Sequence, residues 1–243
     1  MIKSSRSRRL LAMSAVATMG GLGAITVTAP QAEAVTCKAY TTISVRGTND
    51  GTRTSSGTQL PTAVAAFKAQ KGSTNVVSTY VNYQASFNYA ASMADGRAAL
   101  KATFNSYANA CPRTKIALFG YSQGAHIVGD VVVGMSSTQR ARLQGIGLIG
   151  DPMMNPTFAS SKTADRSHGG MWGRRASWPS GVYVYNVCNR GDRVCASLNW
   201  VDSMAFLTNG SRNAPHLKYT TSTYSPLSSS GAWNIGYHVA RRA

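Results

Sequence analysis

Glutamate is all but missing from this 243-residue chain: Glu33 is the only one, and the other acidic residues are seven aspartates. Any catalytic acid downstream of Glu33 must therefore be an aspartate. Cysteine is also scarce, four in all. Their spacing matches no zinc finger, and no dense lysine tract accompanies them, so nothing favours nucleic acid as a partner. Beyond the N-terminal region no apolar run is long enough to span a bilayer. Internal repeats, low-complexity linkers and a second domain are likewise absent. What the chain has in excess is positive charge, with 25 Lys and Arg and a formal net charge of +17.

The N-terminal region reads as an export signal. Lys3, Arg6, Arg8 and Arg9 form a basic start, Leu10 to Val27 is mostly apolar, and Ala32-Glu33-Ala34 gives a small-x-small cleavage pattern. "SRRLL" also fits a twin-arginine signal, which leaves the export route open. The expectation is a signal peptide over 1–34, a secreted protein starting near Val35, and one domain over 35–243. Four basic residues and Glu33 precede Val35, leaving 21 basic and seven acidic side chains, or +14. That charge can draw the protein to anionic surfaces. No unpaired cysteine or coiled-coil pattern points beyond a monomer.

In an exported protein four cysteines read as two disulfides, with three possible pairings. Cys188 and Cys195, seven apart around "NRGDRV", make an easy local bridge. Pairing Cys37 with Cys111 then ties the N-terminal segment to the end of a helix. Chain entropy assigns roughly 2.5 kcal/mol to the short loop and about 4.5 kcal/mol to the long one.

Strand and helix patterns alternate, the signature of an α/β fold whose mostly parallel sheet is flanked by helices. Strands are expected at 41–46, 76–81, 116–119, 145–150 and 182–187, and helices at 61–71, 92–110 and 125–135. Pro61 and Gly72 mark the ends of the first helix. The stretch 153–180 reads as a long basic loop, with Lys162, Arg166, Arg174 and Arg175 against Asp165 alone. Loops of that length are functional or mobile as a rule.

Gly120-Tyr121-Ser122-Gln123-Gly124 sits between an apolar strand and an apolar helix and fits G-x-S-x-G, a nucleophile on a sharp turn. A serine nucleophile needs a base, and the base needs an orienting acid, in the chain order serine, acid, histidine. Among the histidines, His126 reads as a core residue one turn past the serine. His168 lies in the basic loop, and His238 lies five residues from Ala243, where fraying would loosen it. His216, stiffened by Pro215, follows every candidate acid. Asp130 shares the serine's helix, Asp165 lies in the loop, and Asp202 lies on or beside a helix. Position leaves Asp192, inside the short cysteine loop, and Asp151, in "GDP". For the oxyanion, the amide of Gln123 is one donor, and Thr48 in "RGTND" is the natural second.

"VRGT" at 45–48, "CP" at 111–112, "GYSQGA" at 120–125, "GDP" at 150–152, "CNRGDRVC" at 188–195 and "HLKY" at 216–219 together resemble the cutinase family in order and spacing. The resemblance covers nearly all of 35–243. It implies a secreted serine esterase of the α/β-hydrolase fold with Ser122 as nucleophile, Asp192 as acid, His216 as base, and Thr48 and Gln123 as oxyanion hole. It also implies the pairings Cys37–Cys111 and Cys188–Cys195, and no metal or cofactor. The implied substrates are carboxylic esters, aliphatic polyesters such as cutin and short- to medium-chain esters first. A lipase or phospholipase, or an acetyl-polysaccharide esterase, would use the same fold, and an inert binding protein is the alternative from another class. Two departures stand out: the 153–180 segment is longer and more basic than in compact fungal cutinases, and His126 stands where a small or aliphatic residue is expected.

Overall fold

The computed structural model describes residues 35–210 and 212–242; the export-signal reading of 1–34 lies outside them. Strand β3 (Lys115–Tyr121) is buried at every position after its first, as expected of a central strand covered on both faces. Around it six parallel strands run in the order β2-β1-β3-β4-β6-β5, with β1 at Tyr40–Val45, β2 at Val76–Tyr80, β4 at Leu143–Ile149, β5 at Ser161–Lys162 and β6 at Val184–Val187. The chain steps outward from β1 to β2 and then crosses to the other side of β1 with β3. This topological switch between β1 and β3 opens a crevice at the strands' C-terminal ends.

Alternation along β3 feeds two apolar layers. Ile116 and Leu118 join Ile43, Leu100, Phe104, Ile127 and Val131, under helices α2 (Tyr89–Ala110) and α3 (Gln123–Val133). Ala117 and Phe119 join Phe67, Ile235 and Val239, under α1 (Leu60–Lys71) and the C-terminal helix α7 (Gly231–Ala240). Gly236 lets α7 approach α1: a Cβ there would collide with the Ala63 carbonyl. Short helices α4 (Ser137–Arg140), α5 (Trp200–Thr208) and α6 (Ala214–Leu217) complete the elements used below.

Expected and observed strands agree to within a residue or two, and each expected helix is present, α2 beginning three residues earlier. The helix α7 has no counterpart in the sequence reading, and it corrects the expectation that His238 frays: its ring stacks on Tyr185 with centroids 4.2 Å apart. Both disulfides form as paired above, Cys37–Cys111 and Cys188–Cys195, with Cα atoms 5.4 and 5.8 Å apart.

The 153–180 segment is a long loop, as expected, irregular except for the two-residue β5, but it is tied down. It contributes β5 at the sheet edge, and backbone bonds from Gly170 to Met154, Trp172 to Pro152 and Arg175 to Met153 tie it into a folded strap. Its cations are spent within it and on its surroundings: Arg166 and Arg174 donate to the Pro156 and Ser167 carbonyls of the same segment, Lys162 lies over the Tyr185 ring, and Arg175 meets Asp130.

Candidate active site

Ser122 follows the last residue of β3 and precedes the first residue of α3, at φ 53° and ψ −120°. A non-glycine residue rarely holds this conformation, and it persists only where the surroundings enforce it. Here the Ser122 amide donates to the Ile149 carbonyl, and the flanking glycines admit close neighbours. A Cβ on Gly120 would lie 2.7 Å from the Ala125 Cα, and one on Gly124 would run into the Val45 carbonyl. Register pairs Val45 with Gly120, so the loop after β1 arrives beside the serine.

The imidazole of His216, on α6, places Nε2 2.9 Å from Ser122 Oγ and Nδ1 2.9 Å from Asp192 Oδ2. His216 is 4% exposed and Asp192 wholly buried. The remaining acceptor sites of the carboxylate are occupied: the Val194 amide donates to Oδ1 at 2.9 Å, and the Tyr219 hydroxyl donates to Oδ2 at 2.6 Å. A buried carboxylate held by three donors has a fixed aim. The backbone of His216 is fixed as well, since the Tyr121 hydroxyl donates to its carbonyl at 2.9 Å. Burial, and then the charge of Asp192, raise the Tyr121 and Tyr219 hydroxyls well above the usual phenol range, so both stay protonated as donors.

The structure thus joins Ser122, His216 and Asp192 and sets the other candidates apart. The buried carboxylate of Asp151 accepts from Asn186 Nδ2 and the Met153 amide, so it caps the start of the strap. Asp165 pairs with His168, Asp202 with Arg193, and Asp130 with Arg97 and Arg175.

Thr48 lines the cavity beside the serine. Its loop is braced by buried Arg46, which donates to the Tyr83 carbonyl at 2.8 Å, and by the Asn49 amide, which donates to Ala85. The Gln123 side chain is tied elsewhere, accepting from Ser92 Oγ at 2.9 Å and donating to the Ser86 carbonyl. The Gln123 backbone N–H lies in the first turn of α3, where no intrahelical acceptor exists.

A cavity of about 450 Å³ opens over these groups. Its lining is mostly apolar, with Phe87, Tyr89, Trp172, Trp200, Met204 and Leu207 prominent. The sequence reading passed over these residues, and Tyr219 also, although it stands in the "HLKY" stretch. Among the described residues one group of three metal-ligand types occurs, Cys188, Asp192 and Cys195. It does not suit a metal, because both thiols are joined in a disulfide and Asp192 is committed to His216 and Tyr219.

The cutinase family model matches residues 36–226. The chain belongs to the cutinase family. Acetylxylan esterase 2 of Talaromyces purpureogenus is 31% identical over 148 residues, 54% of this chain and 58% of that protein; this chain therefore aligns with little more than half of that relative. A cutinase of Botryotinia fuckeliana is 27% identical over 67% of this chain and 72% of its own length. A cutinase-like protein from Cryptococcus sp. superposes over 84% of this chain and 94% of its own, with a TM-score of 0.63 and 25% identity. An acetylxylan esterase structure superposes at a TM-score of 0.65 over 86% of this chain and all of its own; at 22% identity that likeness speaks for the α/β-hydrolase fold of cutinases alone.

Proposed function

We propose that this cutinase-family protein is a serine esterase that hydrolyses carboxylic esters through an acyl-enzyme. The carrying observation is the continuous hydrogen-bonded chain Ser122–His216–Asp192, opening on an apolar cavity. His216 takes the Ser122 proton through Nε2 as Oγ attacks the ester carbonyl, and returns it to the leaving alcohol. Asp192 holds the Nδ1–H tautomer and stabilises the imidazolium. The amides of Gln123 and Thr48 receive the oxyanion. A water activated by the same histidine then releases the acid. None of these steps calls on a metal or cofactor.

The cavity favours acyl groups longer than acetyl. An acetyl group would leave most of 450 Å³ unfilled, whereas a short- to medium-length chain would bury its methylenes there at about 0.8 kcal/mol each. Aliphatic polyesters such as cutin present chains of this kind. The sequence likeness to acetylxylan esterase 2 supports a second reading, deacetylation of a polysaccharide. Two disulfides suit export to an oxidising compartment.

Hydrolysis of p-nitrophenyl esters from acetate to palmitate, beside a Ser122→Ala control, tests the proposal. The expected profile peaks at short to medium chains and falls at least about 10⁴-fold in the control. Activity on acetate alone would move the reading to an acetyl esterase, and a peak at palmitate to a lipase. A folded protein inactive on every ester would leave a binding protein.

A further inference from the structure

His126 lies one turn beyond Ser122 on α3 and has no place in the mechanism above. Its Nδ1 is 2.9 Å from the Tyr89 hydroxyl, and its Nε2 is 3.6 Å from Asp130 Oδ2. Two guanidinium groups, those of Arg97 and Arg175, hold that carboxylate at 3.2 Å each. Arg175 also comes within 3.9 Å of the buried Asp151. The ionisable groups facing His126 are therefore Tyr89 and Arg97 from α2, Asp130 from its own helix, Arg175 from the 153–180 strap, and Asp151 after β4.

In the neutral imidazole, the N–H belongs on Nε2, towards the carboxylate, which leaves the Nδ1 lone pair to accept the Tyr89 hydroxyl. Burial lowers the His126 pKa, outweighing the opposing charges of Asp130 and Asp151, so this neutral form holds at neutral pH. The far face of Tyr89 belongs to the cavity. Its ring stacks on Trp172 with centroids 5.1 Å apart, and Trp172 meets Trp200 at 4.6 Å. All three rings line the cavity. One partly buried hydrogen bond thus anchors one end of an aromatic wall.

We propose that His126 is a positioning residue for substrate choice: by holding the Tyr89 hydroxyl it locks the Tyr89–Trp172–Trp200 wall and sets acyl-chain preference without touching substrate. The proposal rests on the esterase reading above. A histidine that only satisfied a buried hydroxyl would, when replaced, alter stability and slow all esters alike. A positioning histidine alters selectivity.

The test compares p-nitrophenyl acetate and octanoate on the wild type, Tyr89→Phe, His126→Leu, His126→Gln and the double variant Tyr89→Phe/His126→Leu. In Tyr89→Phe and His126→Leu, KM for octanoate should rise about fivefold more than KM for acetate, with kcat changing alike for the two esters. The double variant should be no worse than the worse single one, since both remove the same bond. His126→Gln, whose Oε1 can accept from Tyr89, should return to within about twofold of wild type.

The octanoate-to-acetate ratio of kcat/KM adds a pH readout, because any ionisation that acts on both esters alike cancels in it. In the wild type the ratio should shift on the acid side, where protonation turns Nδ1 from acceptor into donor and reverses the bond to the Tyr89 hydroxyl, and it should stay flat in His126→Gln. Parallel loss on both esters in folded variants, or a wild-type ratio independent of pH, would overturn the proposal. Should His126→Leu fail to fold, Tyr89→Phe removes a single oxygen and decides the matter alone. A wild type inactive on every ester would bring down the esterase reading first, an outcome distinct from an active enzyme with unchanged selectivity.

Discussion

At the scale of single residues, the site depends on groups that fix the aim of others. Tyr219 is the most telling. Its hydroxyl donates to Asp192 Oδ2 and accepts from the Asn189 amide at 3.0 Å, so it ties the acid to the short disulfide loop. Tyr219→Phe removes one charge-assisted donor from a buried carboxylate and strands the Asn189 N–H. Expected are a stability loss of about 2 kcal/mol and a fall in kcat of about tenfold, with KM for p-nitrophenyl butyrate unchanged. Denaturant unfolding and steady-state kinetics on one preparation would check both. Unaltered kcat alongside the lost stability would mean that the hydroxyl holds the fold without aiming the acid.

The elements divide the labour between holding and aiming, and the two disulfides make the division measurable. Cys37–Cys111 closes a long loop between the segment before β1 and the end of α2, away from the serine. Removing it with paired serines should cost about 4.5 kcal/mol while kcat holds. Cys188–Cys195 closes only a short loop, but that loop carries Asp192. Its removal should cost roughly 2.5 kcal/mol and yet lower kcat by at least about tenfold. Equal effects of the two bridges on kcat would refute the division. The same elements mark what the sequence could reveal. The strands and α1 to α3 were legible because short apolar or β-branched runs, or a stripe at helical spacing, ran between Pro and Gly signals. Helix α7 was not, because Gly231 and Gly236 accompany its apolar Ala232, Ile235 and Val239 and read as breakers until the close approach of Gly236 to Ala63 is seen. The strap was legible as a loop but not its anchoring: Arg175 reaches Asp130 on α3, a pairing across 45 positions that no local pattern encodes. The G-x-S-x-G turn was legible locally, whereas choosing Asp192 over Asp151 needed the family resemblance. Only the fold displays that Asp151 is occupied by Asn186 and Met153.

For the whole molecule, the shortage of acid is sharper than the composition suggests. Asp50, Asp151 and Asp192 are buried and hydrogen-bonded, so the exposed surface is left still more cationic. Buried tyrosines give the other global term. Tyr83, Tyr121 and Tyr219 are at most 3% exposed, and burial raises all three above the ordinary phenol value of 10.0. Their folded pKa values exceed the unfolded ones, so their contribution to stability is complete below the unfolded pKa and is lost as pH climbs above it. Above about pH 10 the unfolded chain releases these protons while the native state keeps them, and each tyrosine then removes about 1.4 kcal/mol of stability per pH unit. Three together approach about 4 kcal/mol per unit, against a total of about 5–15 kcal/mol for a domain. Thermal melts on briefly exposed samples should therefore be flat from pH 7 to 9 and fall steeply from pH 10 to 11, more shallowly in Tyr219→Phe by one tyrosine's share. Absorbance near 295 nm should rise in two stages, exposed phenols first and the buried ones, with Tyr89 and Tyr185 beside these three, only at higher pH or with unfolding. A single smooth titration in the folded protein would mean that these hydroxyls reach solvent, and the fixed donors to Asp192 and to the His216 carbonyl would go with them.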